Sequence, residues 1–230
     1  MLLSLEVYIT CMKKLFAEFF GTALITTSVI GSAHMASIWT KDGALWLLVN
    51  MISTVAALYI AINLFAEISG AHFNPVVSMV ILLNRKLRPQ EFIFYVFAQL
   101  IGAISGSLIA QSLFDRPLLS ISAIERNSTN LLAAELVASA GLVLIAVASW
   151  KRIETQQRAT LVSLWIASAY FFTSSTSFAN PAVSLGRMFT ESLAGISPNS
   201  LLLFIPVQAL GGLVAFAINN YLSKERAIQR

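Results

Sequence analysis

Two asparagine–proline pairs are the residues in this chain whose type and spacing ask for a chemical explanation. One lies in "GAHFNPVVSMV", Gly70 to Val80, and the other in "SFANPAVSLGR", Ser177 to Arg187, their asparagines 106 residues apart. Asn is a favoured helix N-cap and Pro suits the first helical position, so Asn74-Pro75 and Asn180-Pro181 each read as a helix start. A helix start carries unpaired N–H groups and about half a positive charge, and the asparagine amide adds a donor of its own. Such a pair of sites repels cations and offers hydrogen bonds to neutral polar solutes.

The elements that must hold these starts follow from hydropathy. The 230 residues are 57% hydrophobic and only 11% charged, with a mean hydropathy of +0.77, where soluble domains carry roughly 25% charge. The chain reads as an integral membrane protein. A pI near 9.4 does not imply nucleic acid, because the basic residues lie between apolar blocks and form no single patch. A lone Cys11 excludes an internal disulfide, and Met1 to Met12 lacks the features of a cleaved signal peptide, so the first block is expected to remain.

Six blocks are long enough to cross a bilayer core of about 30 Å, near 15–37, 45–65, 92–113, 131–149, 159–176 and 201–222. Two shorter apolar pieces remain, about 74–83 and 180–190. Each spans about 15 Å as a helix, half a bilayer, and is expected to re-enter the membrane from the face it left. Lys and Arg gather on the cytoplasmic side of membrane proteins. With both termini inside, the inner set is Lys13, Lys14, Arg85, Lys86, Arg88, Lys151, Arg152, Arg158, Lys224, Arg226 and Arg230, eleven of the fifteen basic residues. Lys41, Arg116, Arg126 and Arg187 fall outside.

The two halves resemble one another. "AEFFGTALI" from Ala17 is echoed by "AELVASAGLVLI" from Ala134, "AQLIGA" from Ala98 by "VQALGG" from Val207, and the Asn-Pro loops match in the same order. The repeats cover approximately 13–113 and 128–222 within a single channel domain, 1–230. Three spans per half force the second copy to insert upside down, an inverted repeat in which the short helices meet at mid-membrane. Irregular backbone at that depth must be buried in protein or line a watery cavity. The expected architecture is all-α, six transmembrane helices plus two re-entrant half-helices, enclosing a pore for uncharged polar molecules.

Duplicated boxes, Asn74-Pro75-Val76 and Asn180-Pro181-Ala182, with "AEFFGT" in the first span, "GAHFNP" before the first box and the Gln-plus-Gly pattern of the third and sixth spans, resemble the aquaporin and aquaglyceroporin family over nearly the whole chain. The resemblance implies passive flow, a homotetramer of independently conducting subunits in a lipid bilayer, and no cofactor. It also implies that Glu18 and Glu135, whose place inside membrane spans by itself suggests proton relay, anchor the backbone of the re-entrant loops. His72, a pH gate by its titration range, is read chiefly as a loop-positioning residue.

The departures bear on the solute. Val76 replaces the usual alanine of the first box. Three residues after Asn180, where most members carry the constriction arginine, stands Val183. Counting from the boxes carries the other constriction positions onto Thr54, Ser168 and Ser177, an uncharged ring rich in hydroxyls. The expectation is a wide pore passing water and larger neutral solutes: glycerol-like polyols, urea or metalloid acids. Arg187, seven after Asn180, is expected one turn further out, bonding nearby carbonyls or lining the vestibule. The alternatives are a strictly water-selective channel, a secondary transporter, for which coupling-ion ligands are wanting, and a structural membrane protein. No enzymatic constellation or metal-ligand cluster is present, and short loops suggest a bacterial inner membrane.

Overall fold

The structure is a computed structural model that describes residues 2–148 and 153–228; Lys151, Arg152 and Arg230 of the predicted inner charge set lie outside the described residues. Among the described residues there are eight helices and no strand: α1 (Leu2–Trp39), α2 (Gly43–Ser69), α3 (Pro75–Leu83), α4 (Pro89–Leu113), α5 (Thr129–Val147), α6 (Thr155–Phe172), α7 (Pro181–Arg187) and α8 (Pro198–Ile228). Five are long and apolar enough to cross a membrane, namely α1, α2, α4, α5 and α8. The sixth, α6, is 18 residues long and opens on Thr155, Gln156, Gln157 and Arg158, which lower its apolarity. It starts four residues before the predicted block and stops four before its predicted end, because Thr173 to Asn180 already form the loop into α7.

The two short helices form where the sequence places them, and their caps explain why. Asn74 is extended, and its Oδ1 accepts from Val76 N at 2.9 Å. Asn180 does the same for Ala182 N at 3.0 Å and Val183 N at 3.3 Å. Pro75 and Pro181 occupy the first turn, where a missing N–H costs nothing.

The long helices pack as two similar sets, α1 with α4 and α2, α5 with α8 and α6. Glycine permits the closest approaches. A Cβ on Gly102 or Gly106 would lie 2.4 Å from Phe19 O or Ala23 O of α1, and one on Gly211 would lie 2.7 Å from Leu136 O of α5. Backbone contact of this kind supplies the association between helices that hydrophobicity cannot supply in lipid. Bulky side chains such as Phe16, Leu64, Phe97 and Leu164 project from the outside of the bundle. The short helices fill its middle, α3 against α4, α5 and α8, and α7 against α1, α4 and α8.

Candidate functional site

The loops leading into α3 and α7 share one unusual backbone. Gly70, Ala71 and Phe73 have φ of 90°, 51° and 49°, and Thr176, Ser177 and Ala179 have φ of 61°, 53° and 48°. Non-glycine residues in the left-handed region cost on the order of 1–3 kcal/mol each and persist only when the surroundings hold them. Here a buried carboxylate does so in each loop. Glu18 accepts from Ser69 Oγ (2.6 Å), His72 N (3.0 Å), Phe73 N (2.7 Å) and Gln99 Nε2 (2.7 Å). Glu135 accepts from Ser175 Oγ (2.7 Å), Phe178 N (2.8 Å), Ala179 N (2.9 Å) and Gln208 Nε2 (2.7 Å). Both side chains are fully buried, and their oxygens are occupied by donors. The Gln99 and Gln208 amides also donate to Ser78 and Ser184 in the half-helices, so the same bonds tie each loop to a long helix.

The asparagines face each other across this frame. Asn74 Nδ2 donates to Ala179 O, and Asn180 Nδ2 donates to Phe73 O, both at 2.7 Å. Each amide nitrogen carries two hydrogens. One is used in this reciprocal bond, and the described residues supply no acceptor for the other. A cavity of about 370 Å³ passes both asparagines, lined from one end by Lys86, Thr155 and Arg158 to the other by Tyr170, Ser177 and Arg187. Its intervening wall is largely aliphatic, from residues such as Ile25, Ile62, Leu142 and Val162. No carboxylate of the described residues lines it.

Thr54, Ser177 and Val183 all line this wall. Ser168 does not. It is exposed on the outer side of α6, and the cavity is lined instead by Val162, Ile166 and Tyr170, four residues apart on the opposite face of the helix. Counting back from Asn180 across an irregular loop missed this register, and the buried 162–166–170 stripe is the signal that would have found it. Tyr170 Oη donates to Thr54 Oγ1 at 3.1 Å, while Thr54 Oγ1 donates to Asn50 O at 2.7 Å, leaving little of that hydroxyl for a solute. Ser177 Oγ is buried with no partner among the described residues.

Arg187 lies deeper than the mouth. Its residue is 3% exposed and lines the same cavity as Val183. The guanidinium carbon stands 3.3 Å from the centre of the Phe178 ring, and Nε donates to Ala194 O at 2.5 Å. Arg126 supports the same segment from the 114–128 loop, donating from Nε to Gly195 O and from Nη2 to Leu193 O, both at 2.9 Å. Burial lowers the Arg126 pKa, and the charge of Glu135 opposes that shift. At the opposite end Arg158 Nη1 donates to Ile145 O and Ala146 O at the last turn of α5, where a cation complements the helix dipole.

His72 donates its backbone N–H to Glu18, and its Nδ1 lies 3.0 Å from Ser78 Oγ, while the residue also lines the cavity. His34 and Gln111 belong to neither Asn-Pro box. They are buried and bonded at 2.6 Å, with Gln111 Nε2 donating to Pro117 O and Phe189 O, so the pair braces the segments around α7. Among the described residues no group of His, Cys, Asp and Glu is arranged to hold a metal ion.

Comparison with known proteins agrees with this geometry. The family model for major intrinsic protein matches residues 6–178. Aquaglyceroporin AqpS of Rhizobium meliloti (strain 1021) is 41% identical over 210 residues, 91% of this chain and 90% of that protein. Glycerol uptake facilitator protein-like 6 of Lactiplantibacillus plantarum is 36% identical over 101 residues, 44% of each. Among solved structures, the aquaglyceroporin from Plasmodium falciparum superposes with a TM-score of 0.72, covering 90% of this chain and 94% of that one at 20% identity, a likeness of fold. Reciprocal asparagines capping two short helices inside a six-helix frame, with these matches, place the chain in the major intrinsic protein family, whose members are membrane channels and not enzymes.

Proposed function

We propose that the chain conducts water and small uncharged solutes, with glycerol-like polyols, urea and metalloid acids as the solute classes that fit. The observation carrying this reading is the cavity that passes Asn74 and Asn180, each with an amide hydrogen not used by the described residues. Two helix starts aimed at that point disfavour cations. The absence of arginine at Val183, on a wall shared with Thr54 and Ser177, favours solutes larger than water. The aquaglyceroporin name of the 41% identical relative agrees with a polyol.

Four such subunits, each with its own pore, sit in a bacterial inner membrane with both termini cytoplasmic in this reading. The projecting apolar side chains of the long helices then face lipid and neighbouring subunits. The repeats, about 13–113 and 128–222, make one channel domain. Glu18, Glu135 and His72 support the loops; Asn74, Pro75, Val76, Asn180, Pro181 and Ala182 form the waist. A strictly water-selective pore is the competing reading, and Tyr170 on the wall is what favours it.

Stopped-flow light scattering on proteoliposomes separates the two. Native protein is expected to raise water, glycerol and urea permeability above empty vesicles, and Val183→Arg to lose the larger solutes while keeping water. Flux of water alone establishes the competing reading.

A further inference from the structure

We infer that Arg187 is the selectivity-determining residue at one end of the pore, a fixed guanidinium that filters neutral solutes one helical turn beyond the valine at position 183. The inference rests on the channel reading and adds to it a residue and a mechanism.

Val183 and Arg187 are four apart on α7 and therefore share a face, about 6 Å apart along the axis. Both line the cavity. A purely structural arginine would spend its donors on protein oxygens, as Arg126 does with two carbonyls. Arg187 spends only Nε, on Ala194 O. No hydrogen bond to the described residues involves either Nη of Arg187, although the residue is buried against a cavity that admits water.

The side chain is also immobilised. Its guanidinium carbon lies over the Phe178 ring, 3.3 Å from the centroid, an arrangement in which an arginine is attracted to the aromatic face. Phe178 is held in turn by its own N–H on Glu135 and by an edge contact with Phe204 at 5.4 Å. A planar cation fixed in this way presents donors in one direction and narrows the passage at the same time. Tyr170 supplies an aromatic wall in the same region. Solutes whose oxygens can accept from the guanidinium, and which are small enough to pass it, are favoured over bulkier polyols.

The test uses full-length protein in proteoliposomes, with water, glycerol and the longer polyol xylitol as probes, for the native chain, Arg187→Ala and Arg187→Lys. Arginine-to-alanine is expected to raise the xylitol-to-water permeability ratio about threefold to tenfold, the scale set by one hydrogen-bonding group, and the lysine variant by less. The double variant Val183→Arg/Arg187→Ala, which moves the cation one turn inward, is expected to bring the ratio back to native or below. Should the alanine variant fail to fold, the lysine variant carries the test, since it keeps the charge but loses the planar stack. An unchanged ratio in a variant that melts like native overturns the inference, as does a uniform loss of all three fluxes in a folded variant. If native protein passes no probe, it is the channel reading that falls.

Discussion

Replacing Glu18 by glutamine tests whether a buried carboxylate sets the shape of the pore. Glu18 accepts from four donors, two on each oxygen. Glutamine keeps one acceptor oxygen and turns an NH2 group toward the other pair, so two buried donors lose their partner. An orphaned buried donor costs about 1–3 kcal/mol, giving about 2–6 kcal/mol for the pair. Removing a buried charge lowers its own desolvation cost and offsets part of this. A net loss of about 3 kcal/mol lowers the melting temperature by about 6–12 °C for a chain of this size. The assay is thermal unfolding in detergent, with water flux measured on the same preparation. Phe73, released from the carboxylate that offsets its left-handed backbone, relaxes together with Ala71, whose N–H rests on the Ser69 hydroxyl that Glu18 holds, and flux falls. Glu135→Gln removes the equivalent bonds and is expected to match it. A Glu18→Gln protein that melts within about 2 °C of native and conducts normally refutes the reasoning.

Other perturbations follow from single contacts. Gly102→Ala places a methyl 2.4 Å from Phe19 O; backbone cannot yield cheaply, and a loss of about 1–3 kcal/mol in unfolding is expected, with Gly211→Ala similar. Ser168→Ala, on the outer face of α6, is expected to leave flux and selectivity at native values in the stopped-flow assay. Tyr170→Ala opens the wall and should raise glycerol permeability relative to water. Asn180→Ala removes the cap of α7, costing about 1 kcal/mol, together with the bond to Phe73 O; a clear drop in melting temperature and water flux is expected.

What could be read from the residues divides along physical lines. Cap chemistry is local, so Asn74-Pro75 and Asn180-Pro181 announced both half-helices. The loop-anchoring reading of Glu18 and Glu135 came from the family resemblance alone, since a carboxylate in a membrane span by itself suggests proton relay. Ser168 failed because a loop with three left-handed residues, Thr176, Ser177 and Ala179, does not advance like a helix. A fixed count from Asn180 therefore says little about which face of α6 turns inward. Helical rise puts Arg187 one turn beyond Val183, but its burial depends on Phe178 and on Ala194, seven residues further on. The His34–Gln111 bond joins residues 77 apart and leaves no local signal.

The reciprocal bonds of Asn74 to Ala179 O and Asn180 to Phe73 O also bear on the order of assembly. Residues 70–74 leave the ribosome more than a hundred residues before their acceptor and donor exist. Until the second half inserts, the Asn74 amide and the Phe73 carbonyl have no protein partner at mid-membrane depth, where water is scarce and an unpaired polar group is expensive. The waist of the channel is thus a late event in biogenesis. The first half synthesised alone is expected to hold α1, α2 and α4 in the membrane, with α3 poorly seated until its counterpart arrives.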